Sequence, residues 1–178
     1  MREEVTALLE NRNELLTITY FKIQELFDKK YGENALVLME IGTFFEVYEV
    51  NNEKEKIGKA KEIAELLNIQ LTRKNKSILE NSKENPIMAG VPAISFEKHL
   101  ARIIAEQKYT IAIIRQKGTP PNVSRYLDVV VSPGTNFDFV VEQDDNFITS
   151  IVIDQVRGNY LIGYSAIDVT TAKCYYNE

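Results

Sequence analysis

The residues with the clearest chemical potential lie in one short run, Gly42-Thr43-Phe44-Phe45-Glu46-Val47-Tyr48. In a strand the side chains alternate, so Phe44, Glu46 and Tyr48 share one face and Phe45 and Val47 take the other. A carboxylate is too costly to bury without a partner. If Glu46 is wet or faces a partner, Phe44 beside it is also near the surface. An exposed ring next to an acceptor-only carboxylate, at the mouth of a glycine turn, suits a wedge. The ring would stack on a flat partner while the carboxylate accepts a hydrogen bond from that partner's edge. The plainer alternative is a half-buried strand, with Phe44 packed and Glu46 an ordinary exposed residue.

Other chemistry is sparsely represented. The chain has no GxxxxGK[ST] phosphate loop, no GxGxxG turn, no HExxH and no GxSxG. The single histidine, His99, sits mid-helix in FEKHLAR and reads as a surface residue rather than a general base. Asp154 and Asp168 fall on neighbouring strands and could share a divalent metal if a third carboxylate converged on them; none is evident. The single cysteine, Cys174, cannot close an internal disulfide. No metal site is expected, and a reducing, cytoplasmic setting fits the cysteine usage.

Charge is unevenly spread. The net charge is −5 over 178 residues. Residues 1–55 carry −6, residues 56–125 carry +7 and residues 126–178 carry −6. A basic middle between acidic ends could face an anionic partner, or could be no more than charge on solvated helix faces. Within that middle, Arg73, Lys74 and Lys76 cluster in the polar stretch RKNKSILENSKEN, residues 73–85.

The elements that must position these groups follow from periodicity. Apolar residues over the first 30 positions recur every three to four residues. They predict helix, with a break near Asn11 and Asn13 and a stop at Gly32. ALVLMEIGTFFEVYEV, residues 35–50, predicts two strands joined by a tight turn at Gly42-Thr43. Residues 53–68 return to helical spacing, and Ile69–Thr72 predicts a short strand. PIMAGVP, residues 86–92, reads as a tight apolar connection, and Ser95 as the N-cap of a helix reaching Gln107. Strands are expected at Tyr109–Arg115 and Leu127–Val131, then a turn at SPGT. Further strands are expected at 148–155, 160–169 and 172–176, with a hairpin turn at Arg157-Gly158-Asn159.

The expected fold class is therefore α/β of mixed α+β character. A mixed sheet flanked by helices fills residues 1–134, a linker spans 135–147, and residues 148–178 open a second α/β domain. Three strands with no covering helix cannot bury both faces, so the chain reads as a piece of something longer. Hydrophobic residues at 44% and charged residues at 26% match ordinary globular composition and argue against disorder. No apolar run approaches the roughly 20 residues of a membrane helix, and no membrane partner is expected.

In GTFFEVY (42–48), LTRKNKS (71–77), IMAGVP (87–92), HLARII (99–104), IAIIRQKGTP (111–120) and VVSPGT (130–135), taken in order, the chain resembles the N-terminal mismatch-recognition domain of the bacterial MutS mismatch-repair proteins. YSAIDVTTAKC (164–174) resembles the opening of that family's connector domain. The resemblance implies a mismatched-DNA-binding module. Phe44 would enter the minor groove and stack on a mispaired or unpaired base, and Glu46 would hydrogen-bond that base. Arg73, Lys74 and Lys76 would flank the backbone, and Met88 would lie close to the intercalation site. The implied partner is double-stranded DNA with mismatches or small loops. This segment would not be an enzyme and would hold no cofactor. ATP and magnesium would belong to the full-length protein, as would homodimerisation through regions outside this chain.

Three departures stand out. Ala93-Ile94-Ser95 replaces the family's usual aromatic-His pair, Tyr126-Leu127-Asp128 stands where basic residues are common, and the helical N-terminus is longer than usual, with a divergent stretch TYFKIQELFDKKYGENALVLMEIG. They suggest a divergent branch and weaken individual phosphate contacts rather than the wedge. Some branches carry a C-terminal nuclease domain, of which these residues show nothing. The competing readings are the same fold used as a protein-docking module, and a small metal-dependent nuclease built on Asp154 and Asp168. The first tolerates a buried Phe44; the second requires the two aspartates to lie within a few ångströms.

Overall fold

The computed structural model describes residues 1–135, 147–168 and 171–177. Most of the expected 135–147 linker lies outside the described residues. The chain divides into two compact units, Met1–Ser132 and Pro133–Glu178.

The first unit opens with two helices, α1 (Arg2–Glu10) and α2 (Leu16–Tyr31). Gly32 ends α2 at φ +81°, and its N–H returns to the Asp28 carbonyl. The sheet strands follow: β1 (Ala35–Ile41), β2 (Phe44–Asn51) and β3 (Lys56–Gly58). Helix α3 (Ala60–Leu67) precedes β4 (Thr72–Arg73) and β5 (Ile87–Pro92). Helix α4 (Phe96–Ala105) leads to β6 (Thr110–Lys117) and β7 (Ser124–Val131). The sheet runs β4-β5-β2-β1-β6-β7, with β3 paired to β2. Only the β1–β6 pair is parallel; the others are antiparallel. This is the mixed α/β class that the sequence indicates.

The pleat sorts the core into two layers. Val37, Met39, Tyr48, Val50, Ala112 and Ile114 face Val5, Tyr20, Phe21, Ile23 and Phe27 of the N-terminal helices. Leu38, Phe45, Val47 and Val91 face Ile63, Leu67, Phe96, Leu100 and Ile103 of α3 and α4. Helices therefore cover both faces, as a central, strand-rich sheet requires.

Three local expectations need correction. Residues 53–68 are not one helix, because Lys56–Gly58 pairs with Glu49–Asn51 and helix begins only at Ala60. PIMAGVP is not a connection but contains β5, hydrogen-bonded between β2 and β4. Ser95 occupies the N-cap position, yet its hydroxyl donates to the Pro92 carbonyl at 3.2 Å rather than accepting from an amide of α4.

The second unit, among the described residues, is an antiparallel sheet of β8 (Phe147–Val156), β9 (Asn159–Asp168) and β10 (Cys174–Asn177). Arg157 and Gly158 both take positive φ, the signature of a type I′ hairpin turn. Many of its apolar side chains are exposed, among them Ile151, Val152, Leu161 and Tyr176.

Candidate nucleic-acid interface

The β1–β2 hairpin closes on two residues, with Ile41 paired to Phe44. Gly42 takes φ +62° and Thr43 does not go positive, the pattern of a type II′ turn, which places glycine first. The turn is held from two sides. The Gln116 side chain accepts from the Gly42 N–H at 3.1 Å and donates to the Gly42 carbonyl at 3.2 Å. The Ala93 N–H donates to the Thr43 carbonyl at 2.8 Å. Arg125 braces the support by donating to the Glu40 carbonyl at 3.0 Å and to Gln116 at 3.4 Å.

Phe44 stands on this turn with 44% of its surface exposed. Its neighbour Phe45 is 1% exposed and lies stacked on Phe96, with centroids 3.6 Å apart and 15° between planes. The Arg115 guanidinium sits 5.4 Å from the Phe45 ring and 5.6 Å from the Phe96 ring. Asp128 at 2.9 Å and Glu97 at 3.1 Å hold it there. One ring of the pair is thus an anchor and the other is presented.

Glu46 is more withdrawn than an ordinary exposed strand residue, at 9% exposure. Its Oε2 accepts a hydrogen bond from the Tyr48 hydroxyl and lies 3.3 Å from Lys74 Nζ. Lys74 also reaches the Tyr48 oxygen at 3.1 Å. Burial, followed by the Glu46 charge and hydrogen bond, pushes the Tyr48 phenol far above its ordinary range, so it remains a donor. The Tyr48 ring is fixed edge-on against Tyr20 at 4.8 Å, and Tyr20 donates to the Val37 carbonyl at 2.9 Å.

The remaining sequence candidates are distributed around this strand. Met88 lies opposite Tyr48 and Thr72 in the ladder and packs half-buried against the core. Arg73 turns its guanidinium into its own loop and donates to the carbonyls of Ile78 and Leu79. Lys76 is exposed and makes no ion pair among the described residues. The structure therefore gathers Glu46, Lys74 and Met88 around Tyr48, and leaves Phe44 on the turn and Lys76 on the loop.

Four residues of this site carry no signal in the sequence: Tyr48 shares the Glu46 face but shows no role there, and Gln116, Arg115 and Asn85 are ordinary polar residues until the fold brings them in. Asn85 is buried at 5% and organises the 74–85 loop. It accepts from the Asn75 N–H at 2.7 Å and donates to the Ile78 and Glu80 carbonyls at 3.0 Å each. Part of the basic middle folds back on acidic partners: Lys83 bridges Glu25 at 2.7 Å and Glu55 at 2.6 Å.

The metal-nuclease reading loses its geometry. In the β8–β9 ladder Asp154 is opposite Leu161, whereas Asp168 is opposite Phe147, seven rungs away. At about 3.3 Å per residue that separation exceeds 20 Å. Among the described residues no three His, Cys, Asp or Glu side chains converge. His99 has an unpartnered Nδ1, and burial with the nearby Arg102 and Lys98 charges keeps its pKa low. No helix among the described residues is long and apolar enough to cross a membrane.

A mixed sheet with helices on both faces, presenting a braced glycine turn with an exposed aromatic ring, defines an α/β domain. The sequence model of MutS domain I matches residues 20–140, and the chain belongs to that family. It is 30% identical over 169 residues to a mutS homolog of Acanthamoeba polyphaga mimivirus, covering 91% of this chain and 15% of that protein. It is 31% identical over 163 residues to the DNA mismatch repair protein MutS of Streptococcus thermophilus, covering 88% of this chain and 17% of that protein. The corresponding protein of Halothermothrix orenii is 27% identical over 156 residues, covering 84% of this chain and 16% of that protein. The chain thus spans about one sixth of the length of these relatives.

Proposed function

We propose that this chain is the mismatched-DNA-binding module of a MutS-like mismatch repair protein. Phe44 inserts into the minor groove at a mispaired or unpaired base, and Glu46 accepts a hydrogen bond from that base. The observation that carries the reading is the pairing of an exposed Phe44 with a rigid support beneath it. An apolar wedge kinks the duplex by unstacking a base step, which costs a few kcal/mol. A mismatched step is already poorly stacked, so the same insertion costs less there. Selection follows from deformability rather than from base identity. A rigid wedge is required, because a yielding one would spend the binding energy on its own rearrangement. Lys76, with Arg73 and Lys74 behind it, supplies the basic flank whose phosphate contacts set register and salt dependence.

In the complete protein the wedge acts with an ATP- and magnesium-dependent engine and a second subunit, both supplied by other segments. The exposed Cys174 thiol suits a reducing, cytoplasmic setting.

The test is equilibrium binding by the complete protein to a duplex with one mismatch and to its matched counterpart, at fixed salt. Wild type should prefer the mismatch, and Phe44→Ala should abolish the preference. A preference that survives the substitution overturns the wedge.

A further inference from the structure

Two exposed apolar side chains share one end of the sheet. Phe44 opens β2, and its ladder partner Pro92 closes β5. Directly after Pro92 the chain makes a single 3-10 turn, Ala93–Ser95, and Ile94 in the middle of that turn is 99% exposed. A lone exposed aliphatic residue is ordinary on a protein surface. Ile94 differs in being held in place beside Phe44. The Ala93 N–H donates to the Thr43 carbonyl at 2.8 Å, which joins the turn of Ile94 to the turn of Phe44. The Ser95 hydroxyl donates to the Pro92 carbonyl, and the Phe96 N–H to the Ala93 carbonyl. Buried rings complete the link. Phe45 follows Phe44, Phe96 lies two residues after Ile94, and these two rings are stacked with centroids 3.6 Å apart. Each exposed residue thus stands on an anchor, and the anchors pack on each other.

We propose that Ile94 is a second apolar DNA contact, which packs against the deoxyribose wall of the minor groove beside the step that Phe44 opens. The inference rests on the reading of Phe44 as the wedge. Aliphatic side chains serve minor-groove proteins in this way, because a kinked and widened groove uncovers sugar carbons and base faces that an apolar group can cover. An intact minor groove, about 6 Å wide, has no room for a branched side chain beside a ring. Contact by Ile94 therefore follows opening of the step, and its free energy goes to mismatched DNA rather than to matched DNA. Ile94 has no charge and no side-chain hydrogen-bonding group, so it displaces no counterions from the phosphates. Its turn is already held by three hydrogen bonds, so little conformational freedom is lost on docking.

The experiment titrates the complete protein with a duplex holding one mismatch and with its matched counterpart, over a range of salt concentrations. Ile94→Ser should weaken mismatch binding by about five- to tenfold, as covering much of an isoleucine side chain implies. Matched binding and the salt slope should stay at their wild-type values. Ile94→Leu keeps the apolar volume and should remain within about twofold of wild type. Added to Phe44→Ala, Ile94→Ser should cost nothing further, because the groove is no longer opened. If Ile94→Ser leaves mismatch affinity unchanged, or weakens both duplexes alike, the Ile94 contact is overturned while the wedge stands on the Phe44→Ala result. If Phe44→Ala keeps the mismatch preference, the wedge fails and the Ile94 contact fails with it.

Discussion

The side-chain amide of Gln116 closes a two-point hydrogen-bond pair on the backbone of Gly42, accepting from its N–H at 3.1 Å and donating to its carbonyl at 3.2 Å. These two residues lie 74 positions apart. The pair ties the β1–β2 turn to β6, two strands away from β2 in the sheet. Gln116→Leu removes both bonds from an exposed site, where each is worth about 1 kcal/mol or less. The thermal midpoint should therefore fall only slightly. Mismatch preference should fall several-fold, because the turn beneath Phe44 loses its brace. An unchanged preference would show that the remaining Ala93–Thr43 bond suffices.

Phe44 and Phe45 should respond oppositely to truncation. Phe45→Ala empties a buried site against Phe96 and should cost about 3–5 kcal/mol, read from chemical denaturation. Phe44→Ala removes a half-exposed ring and should cost well under half of that. Similar losses at the two positions would mean that Phe44 packs more than it presents.

Gly58 makes a backbone approach that no side chain can share. It takes φ +85°, and a Cβ there would lie 2.0 Å from the Tyr48 carbonyl oxygen. Gly58→Ala should either displace β3 from β2 or prevent folding. Amide hydrogen exchange at Glu49–Asn51 distinguishes the two, since loss of protection confined to those residues reports local displacement.

Glu62 supplies a pH-dependent contribution to stability. Burial raises its pKa, but hydrogen bonds from Lys108 and Tyr109 and the charges of Lys108 and Lys59 outweigh that, leaving it below the ordinary carboxylate value. A lowered folded-state pKa gives stability that is fully present above the unfolded value and is lost as pH falls through the folded one. Glu62→Gln should lower the thermal midpoint at pH 7. The difference from wild type should shrink as pH falls from the ordinary glutamate range through the lowered folded-state value, below which both side chains are neutral. A difference that persists in acid would assign the effect to packing.

The lysines should separate by partner. Lys76→Ala should weaken DNA binding by the complete protein evenly across sequences and reduce the salt slope by about one. Lys83→Ala should leave the slope unchanged, because that ammonium is already held between Glu25 and Glu55. The same two variants compared for stability should show the reverse order.

Much of the architecture is legible in short windows. The hairpin around Gly42 shows as two strand-forming runs about a glycine, and α1, α2 and α4 show as apolar residues every three to four positions. The failures have physical causes. Ile57 satisfies a helical spacing and a strand pairing alike, and the partner that decides the matter, Val50, is reached only through the fold. In β5 a glycine and two flanking prolines hide the pleat, and only ladders on both sides make the segment a strand. The site suffers the same blindness. Phe44 and Glu46 can be read off one run of sequence. The Lys74 contact to Glu46 spans 28 positions and exists only because β4 and β5 fold the loop back onto β2. Charge counted by region cannot find such a pair, nor can it see that Lys83 is spoken for.

The alternation along β2 has one more consequence, which concerns parity. A strand shifted by one residue exchanges its two faces completely. Phe44 and Phe45 are the same residue type, so a doublet of rings would tolerate that exchange and still present one ring outward. Glu46 would not. A shift would drive its carboxylate into the apolar layer of Leu38, Ile63, Leu67, Val91 and Leu100, with Tyr48 and Lys74 left behind on the other side. Burying an unpartnered carboxylate there is prohibitive. Whatever Glu46 does for a partner, it also makes the odd and even settings of this hairpin unequal, and so decides which of two identical rings faces the world.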